Sequence, residues 1–234
     1  MHYITPNGTN NFFDGGPAFF GGLGAQWSLQ VLIRRVHSAN ASILFDARNA
    51  DSTAKFYLLI ENDTDGRDIV LSVNNSSHAF GPFPQEDQDW QRLHFERNGT
   101  GIICTLNGVQ VGTTWTSAPG SVNAASHDKS TFLANYFGSS GYFGGDVGRF
   151  SVWNSSQPHD TVVTPDYCDW FLKYRDAPVL TDNVAGKGPY TVNSLNTDTF
   201  FDWENSRENI GRKLVYPYKS CGNTQGPYPL NINN

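Results

Sequence analysis

Paired carboxylates are the first chemistry to look for, because two carboxyl groups on either side of a glycosidic bond can hydrolyse it. The chain has five glutamates, at positions 61, 86, 96, 204 and 208. The densest acidic segment, residues 85–89 (QEDQD), precedes Trp90 where a loop is expected. A solvated loop explains this segment better than a catalytic pair, so the sequence predicts no enzyme.

Histidine, serine and cysteine spacing also indicates no catalytic or metal centre. The six histidines form neither His-x-His nor HExxH, and no serine lies in a Gly-x-Ser-x-Gly turn. Cys104, Cys168 and Cys221 are far apart, odd in number and without CxxC spacing, which argues against a disulfide framework and a zinc site. We expect reduced, mostly buried thiols and no cofactor.

Composition favours a globular chain built from short strands. Asn, Ser, Thr, Gly and 32 aromatic residues are abundant, and only 16% of the 234 residues are charged. Turn formers and aromatics at this level favour strands over helices, and the aromatics supply enough apolar surface for a core. The length fits one domain with an appendage.

Charge and hydropathy exclude two classes of partner. Sixteen basic residues oppose 22 acidic ones, and no basic cluster is present, so nucleic acid is not an expected partner. No apolar run approaches the roughly 20 residues of a membrane-spanning helix, which predicts no membrane insertion. The first residues, MHYITPNGTNNFF, lack the basic and apolar regions of a signal peptide, so we expect no standard secretion.

Hydrophobic alternation predicts about nine strands, which implies an antiparallel sandwich or barrel. Residues 62–66 (NDTDG) read as a hairpin turn, and Asn107-Gly108 is the strongest two-residue hairpin signal in the chain. The predicted strands are residues 27–34, 41–47, 55–61, 67–73, 90–97, 102–106, 109–113, 131–137 and 147–153.

One short helix is predicted after the strands. Thr164 can cap it, Pro165 suits its first turn, and aromatic residues follow at i, i+3, i+4 and i+7 from Tyr167 to Tyr174. An irregular, aromatic-rich arm follows, and we expect neighbouring subunits of an assembly to hold it. The expected contact residues of the arm are Tyr190, Phe200, Phe201, Trp203, Tyr216, Tyr218 and Tyr228.

Residues 90–113 (WQRLHFERNGTGIICTLNGVQVGT) resemble the central hairpin of laminin-G-like domains in the concanavalin A-like lectin/glucanase superfamily. Residues 27–33 and 142–154 resemble an early and a late strand of the same fold. The matching positions in the hairpin are Trp90, Leu93, Phe95, Arg97, Gly99, Leu106, Asn107, Gly108, Val109, Val111 and Gly112.

The resemblance implies an all-β fold, a two-sheet antiparallel jelly-roll sandwich with one short helix and an extended C-terminal arm. It covers about residues 10–175. The expected organisation is a jelly-roll domain at 1–160, a short amphipathic helix packed on it at 161–176, and the arm at 177–234.

The same resemblance directs attention to four candidate site residues. Glycan recognition in such folds uses exposed rings, and Trp115 and Tyr142 are the expected ones, with burial or subunit contact as the competing interpretation. Members often hold a structural calcium ion, for which Asp14 and Asp146 are the candidates, with the competing interpretation that aspartate in a glycine-rich turn only forms the turn. The Glu-x-Asp-x-x-Glu motif of the glucanases is missing from the sequence.

Function is predicted at the level of assembly. We expect a non-enzymatic structural or adhesive surface subunit, in the first instance a bacteriophage virion decoration or tail-attachment protein, made in the host cytoplasm and located on the virion surface. Its expected partners are other assembly subunits, including copies of itself, and surface glycans bound weakly. A soluble lectin and a divergent polysaccharide-acting enzyme remain as alternatives.

Overall fold

A computed structural model describes residues 2–4, 6, 8–10, 12–34, 36, 41–62, 67–84, 89–99, 101–122, 124–136, 138–160, 163–172, 180–182, 184, 191–193 and 200–202. Its strands are β1 (His2–Ile4), β2 (Phe12–Asp14), β3 (Trp27–Arg34), β4 (Ser42–Arg48), β5 (Lys55–Asn62), β6 (Arg67–Val73), β7 (Ser76–Pro82), β8 (Gln91–Asn98), β9 (Gly101–Leu106), β10 (Val109–Gln110), β11 (Lys129–Phe132), β12 (Asp146–Trp153), β13 (Cys168–Leu172), β14 (Leu180–Asp182), β15 (Thr191–Asn193) and β16 (Phe200–Asp202). A 3₁₀ turn covers Ala124–Ser126.

Two antiparallel sheets form a sandwich, as the sequence predicts. The seven-stranded sheet has the order β15-β2-β11-β4-β5-β6-β7. The nine-stranded sheet runs β10-β9-β8-β3-β12, and β1 and β13 then share the far edge of β12. β14 pairs with β13, and β16 pairs with β1.

Period-two alternation places the core between the sheets. Along β3, Trp27, Leu29, Val31 and Ile33 are all buried on the inner side. A cluster of phenylalanine rings joins the two layers, with neighbouring centroids 4.9 to 5.8 Å apart. Each such buried ring stabilises the fold by about 1.5–3 kcal/mol relative to an exposed one. The cluster consists of Phe20, Phe45, Phe56, Phe132 and Phe150.

The predicted hairpins are confirmed. β5 and β6 pair in antiparallel register from Phe56 opposite Val73 to Asn62 opposite Arg67. β9 and β10 meet across Asn107-Gly108, whose φ angles of 52° and 84° are those of a type I′ turn. β10 is only two residues long, shorter than the predicted 109–113 strand.

The predicted helix is wrong over its described part. Residues 168–172 form β13, which pairs with β12 and β14. A helix here would leave the edge of β12 unpaired, whereas the strand places Asp169 opposite Ser151, where it accepts a hydrogen bond from the Ser151 hydroxyl and binds Arg149. The aromatic spacing from Tyr167 therefore serves a strand, because sheet pairing outweighs local periodicity.

Strand pairing continues beyond residue 160. β14 and β16 join the nine-stranded sheet, and β15 pairs with β2 in the seven-stranded sheet. The remainder of residues 177–234 lies outside the described residues, so the irregular arm stays a prediction. No helix within the described ranges has the length and apolarity needed to cross a bilayer.

Candidate functional site

The outer surface of the seven-stranded sheet carries polar and charged residues in register across four strands. Where Phe13, Phe132 and Phe45 point into the core, their neighbours point outward. One outward row is Asp14, Thr131, Asp46 and Tyr57, and the next is Lys129, Arg48 and Lys55.

Asp46 is a buried carboxylate that anchors the other groups of this surface. Its side chain is 1% exposed, although it lies on the outward row of β4. It accepts hydrogen bonds from Arg48 Nε at 2.8 Å, from Arg48 Nη2, and from the Tyr136 backbone amide at 2.8 Å. Charge-assisted bonds of this kind hold a guanidinium in one orientation, so Asp46 positions both Arg48 and the loop that carries Tyr136.

The loop after β11 folds over this surface and is built around Asn135. The Asn135 Oδ1 atom accepts the amides of Ser139 at 3.0 Å and Ser140 at 3.4 Å, and its Nδ2 donates to the Ser140 hydroxyl at 2.8 Å. The Tyr142 hydroxyl donates to the Gly138 carbonyl. Because the loop bonds to itself in this way, Tyr136 and Tyr142 are held in place.

Two cations lie over two aromatic rings on this surface. The Arg48 guanidinium carbon is 5.8 Å from the Tyr136 ring centre, and Lys129 Nζ is 5.8 Å from the Phe12 ring centre. Lys129 Nζ is also 3.9 Å from Asp14 Oδ2. Both cation–ring separations fall within the range of a cation–π contact.

We call this surface the cation–aromatic face. It consists of Phe12, Asp14, Asp46, Arg48, Lys55, Lys129, Tyr136 and Tyr142.

The cation–aromatic face is partly exposed to solvent. The side chains of Arg48 and Lys129 are 18% and 28% exposed, and the rings of Phe12, Tyr136 and Tyr142 are half-buried. Its three cations, Arg48, Lys55 and Lys129, stand among the carboxylates of Asp14, Asp46 and the neighbouring Asp128. Partly exposed N–H donors can hydrogen-bond to a sugar, and the aromatic rings beside them can stack on its apolar face.

A buried histidine lies close to this face. His127 is almost fully buried, and burial lowers its pKa to about 4, against the opposing effects of Asp46 and Asp128. The pKa of Tyr136 is raised, first by burial and then by Asp128. At neutral pH His127 is therefore uncharged and adds no positive charge to the face.

The two predicted sugar-stacking rings have different outcomes. Tyr142 lies on the cation–aromatic face, with its ring centre 6.4 Å from that of Phe12. The expectation that Trp115 is exposed is wrong, since it is 4% exposed and stacks on the His78 ring at 5.5 Å. Trp115 pairs with Ile102 at the edge of the nine-stranded sheet, and that pairing turns its side chain into the core.

The two predicted calcium residues lie on different sheets. Asp14 Oδ1 accepts the Gly16 amide at 2.8 Å, which is the turn-forming role. Asp146 is fully buried and binds Arg34 Nε at 2.7 Å. Within the described ranges no three His, Cys, Asp or Glu side chains are grouped to hold a metal ion, and calcium binding stays a prediction.

Most of the predicted assembly residues cannot be placed. Tyr190, Trp203, Tyr216, Tyr218 and Tyr228 lie outside the described residues. Phe200 and Phe201 belong to β16, whose backbone pairs with β1, and their side chains are also outside the description. Cys104 and Cys168 are buried, as predicted, and Cys221 is outside the described residues.

Sequence reasoning missed six residues of the face: Asp46, Arg48, Phe12, Lys55, Lys129 and Tyr136. A signal for the first was present, because an aspartate within the apolar strand ASILFDA must either find a partner or be exposed. The sequence carried no comparable signal for Tyr136, which reaches the face through a loop from another strand.

Comparison with known proteins supports the fold. The sequence matches no protein-family model and no curated protein. A candidate carbohydrate-binding protein from Bacteroides ovatus superposes with a TM-score of 0.62 at 12% identity, covering 81% of this chain. The aligned part is 58% of that protein, so this chain spans somewhat more than half of its length.

Two further structures share the fold. The CBM40 module of Ruminococcus gnavus IT-sialidase, solved with α2,3-sialyllactose, aligns at a TM-score of 0.52 and 13% identity over 68% of this chain and 94% of the module. Mouse laminin α1 domains LG4-5 align at 0.50 and 12% identity, over 70% of this chain and 46% of theirs. The fold is therefore a jelly roll of the concanavalin A-like, laminin-G type.

Proposed function

We propose that this chain is a non-catalytic glycan-binding module and that the cation–aromatic face is its binding surface. The observation that carries the proposal is that Arg48 and Lys129, each beside an aromatic ring and each held by an aspartate, are partly exposed on a sheet next to Tyr142. Such an arrangement offers fixed donors and ring surfaces, and no paired acid and base. The shared fold with modules that bind carbohydrate is consistent with it.

The partly exposed cations of the face, Arg48 and Lys129, favour an acidic glycan. Arg48 directs Nε and Nη2 toward Asp46, which leaves its remaining N–H groups for a ligand. A carboxylate or sulfate on a sugar would add a charge-assisted bond to the neutral stacking contacts. The sialyllactose bound by the CBM40 module is a ligand of this chemical class.

The test is glycan binding by the whole chain and by matched arginine variants. Arg34 is the natural control for Arg48, because it also binds a buried aspartate and lies 4.7 Å over an aromatic ring, Trp90, but on the nine-stranded sheet. We expect Arg48→Gln to weaken binding of an acidic glycan about tenfold, which corresponds to about 1.4 kcal/mol. We expect Arg34→Gln to bind like the wild type.

Three outcomes would count against the proposal. If no neutral or acidic glycan of an array binds at millimolar concentration, the chain has no glycan-binding function. If the Arg48 and Arg34 variants lose glycan affinity equally, the binding site does not lie on the cation–aromatic face. Release of reducing sugar from a polysaccharide would favour the enzyme alternative.

We also propose that the module works as a surface subunit of a large assembly, such as a virion. Support comes from composition: low lysine and glutamate content is typical of protein surfaces that contact other proteins. Many copies would sum weak glycan contacts by avidity. Copurification with a symmetric particle tests this setting, and a chain that stays monomeric through purification and binds glycans alone would favour a soluble lectin.

A further inference from the structure

Arg97 places a positive charge inside the sandwich. It follows Leu93 and Phe95 on the inward side of β8 and is 0% exposed. Its neighbours in register are Trp27 on β3 and Ile102 on β9, both core residues. An arginine stays protonated at any pH that the fold survives, so the charge is enclosed between the sheets.

The charge of Arg97 has no carboxylate beside it. Nε donates to the Ala25 carbonyl at 2.8 Å, while Nη1 and Nη2 have no hydrogen-bond acceptor among the described residues. Burial lowers its pKa, and no charged group raises it. By contrast Arg34, Arg48 and Arg149 each bind an aspartate that is almost fully buried.

A third buried donor belongs to the residue opposite Arg97 on the neighbouring strand. Trp27 lies directly opposite Arg97 across the β3–β8 pairing, on the same inward side. Its ring is fully buried, and its Nε1–H also lacks an acceptor in the described part of the chain. Three nitrogen donors and one positive charge therefore occupy one end of the interior. Leaving buried donors unsatisfied is strongly unfavourable.

We infer that this end of the sandwich binds a small inorganic anion of the chloride class between Arg97 and Trp27. A bound anion would balance the charge of Arg97 and accept hydrogen bonds from the unsatisfied donors. A water molecule leaves the charge unbalanced, and it needs acceptors for its own hydrogens, which neither donor group supplies. Full burial limits the ligand to a small ion and excludes a glycan, so the site is independent of the cation–aromatic face.

The experiment is thermal unfolding of the full chain as chloride replaces gluconate at constant ionic strength. Gluconate is too large to be enclosed. If the ion binds only the folded chain, each tenfold rise in chloride above its dissociation constant raises Tm by about 3–6 °C. The Trp27→Phe variant removes one donor and should flatten this dependence. Trp153→Phe is the control, since Trp153 Nε1 already donates to the Val163 carbonyl.

Chloride-35 NMR of the wild type gives a second readout that needs no variant. Bound chloride should broaden the free-ion line, and added bromide should reverse the broadening. The inference is overturned if Tm follows ionic strength alone, if the Trp27 and Trp153 variants keep equal chloride dependence, or if no reversible broadening occurs. Those results would mean that the donors are satisfied by water.

Discussion

Replacing Asp46 with asparagine tests how the cation–aromatic face is built. The substitution keeps the size of the side chain and an oxygen that can accept the Tyr136 amide, now 2.8 Å from Asp46 Oδ2. It removes the negative charge that binds Arg48, and the new amide N–H₂ group faces the arginine donors. The variant therefore isolates the ion pair from the backbone bond.

The expected loss of stability follows from burial and exposure. A hydrogen bond to a charged group contributes about 1.5–3 kcal/mol to the free energy of unfolding. Arg48 is 18% exposed and can regain some water, so the lower part of that range applies. We expect Asp46→Asn to lower the free energy of unfolding by about 2 kcal/mol, or Tm by about 4–8 °C. Asp46→Ala also orphans the Tyr136 amide and should cost about 1–3 kcal/mol more.

Urea unfolding followed by tryptophan fluorescence measures these differences, with unchanged m-values as the check on two-state behaviour. Asp160→Asn is the control, because Asp160 is exposed, and it should unfold like the wild type. A free energy of unfolding for Asp46→Asn within about 0.5 kcal/mol of the wild type would refute the claim that Asp46 holds the face together.

Two further perturbations follow from burial and backbone geometry. Burial lowers the pKa of both His94 and His127 to about 4, whereas histidine in the unfolded chain titrates near 6.5. The free energy of unfolding should therefore be constant above about pH 7 and fall by about 1 kcal/mol per histidine by pH 5.5. It should fall further toward pH 4. His127→Gln should remove roughly half of that fall between pH 7 and 5.5, and an unchanged slope would contradict the assignment. Gly112→Ala should destabilise by about 2–5 kcal/mol, because φ is +63° and the new Cβ would lie 1.5 Å from the Phe80 carbonyl oxygen. Gly99 has the same φ, but a Cβ there would have nothing within 4 Å, so Gly99→Ala should lower the free energy of unfolding by only about 1–2 kcal/mol. Equal losses of stability in the two variants would show that the contact with Phe80 is relieved by a local shift.

The sheet framework was predictable wherever local pattern and pairing agree. β3 and β6 begin and end where the alternation predicts, because both have clear apolar runs bounded by turns. β7 was missed, since its sequence SSHAFGP buries only Phe80 and resembles a loop. β13 was misread as a helix because aromatic spacing at short range fits either element.

The candidate site was less predictable than the fold. Tyr142 could be expected from its glycine-rich loop, but whether a given tryptophan is exposed depends on tertiary pairing, and Trp115 is buried for that reason. The Asp46–Arg48 pair was visible in the sequence only as a polar interruption of a strand. Arg97 was visible too, since it falls on the inward phase of WQRLHFER with Leu93 and Phe95.

Backbone amide chemical shifts, followed while an acidic oligosaccharide is titrated into the full chain, test the central claim most directly. Binding at the cation–aromatic face predicts that the largest shifts fall on residues 12–14, 46–48, 129–131 and 135–142. Shifts confined to the nine-stranded sheet, or none at millimolar oligosaccharide, would contradict it.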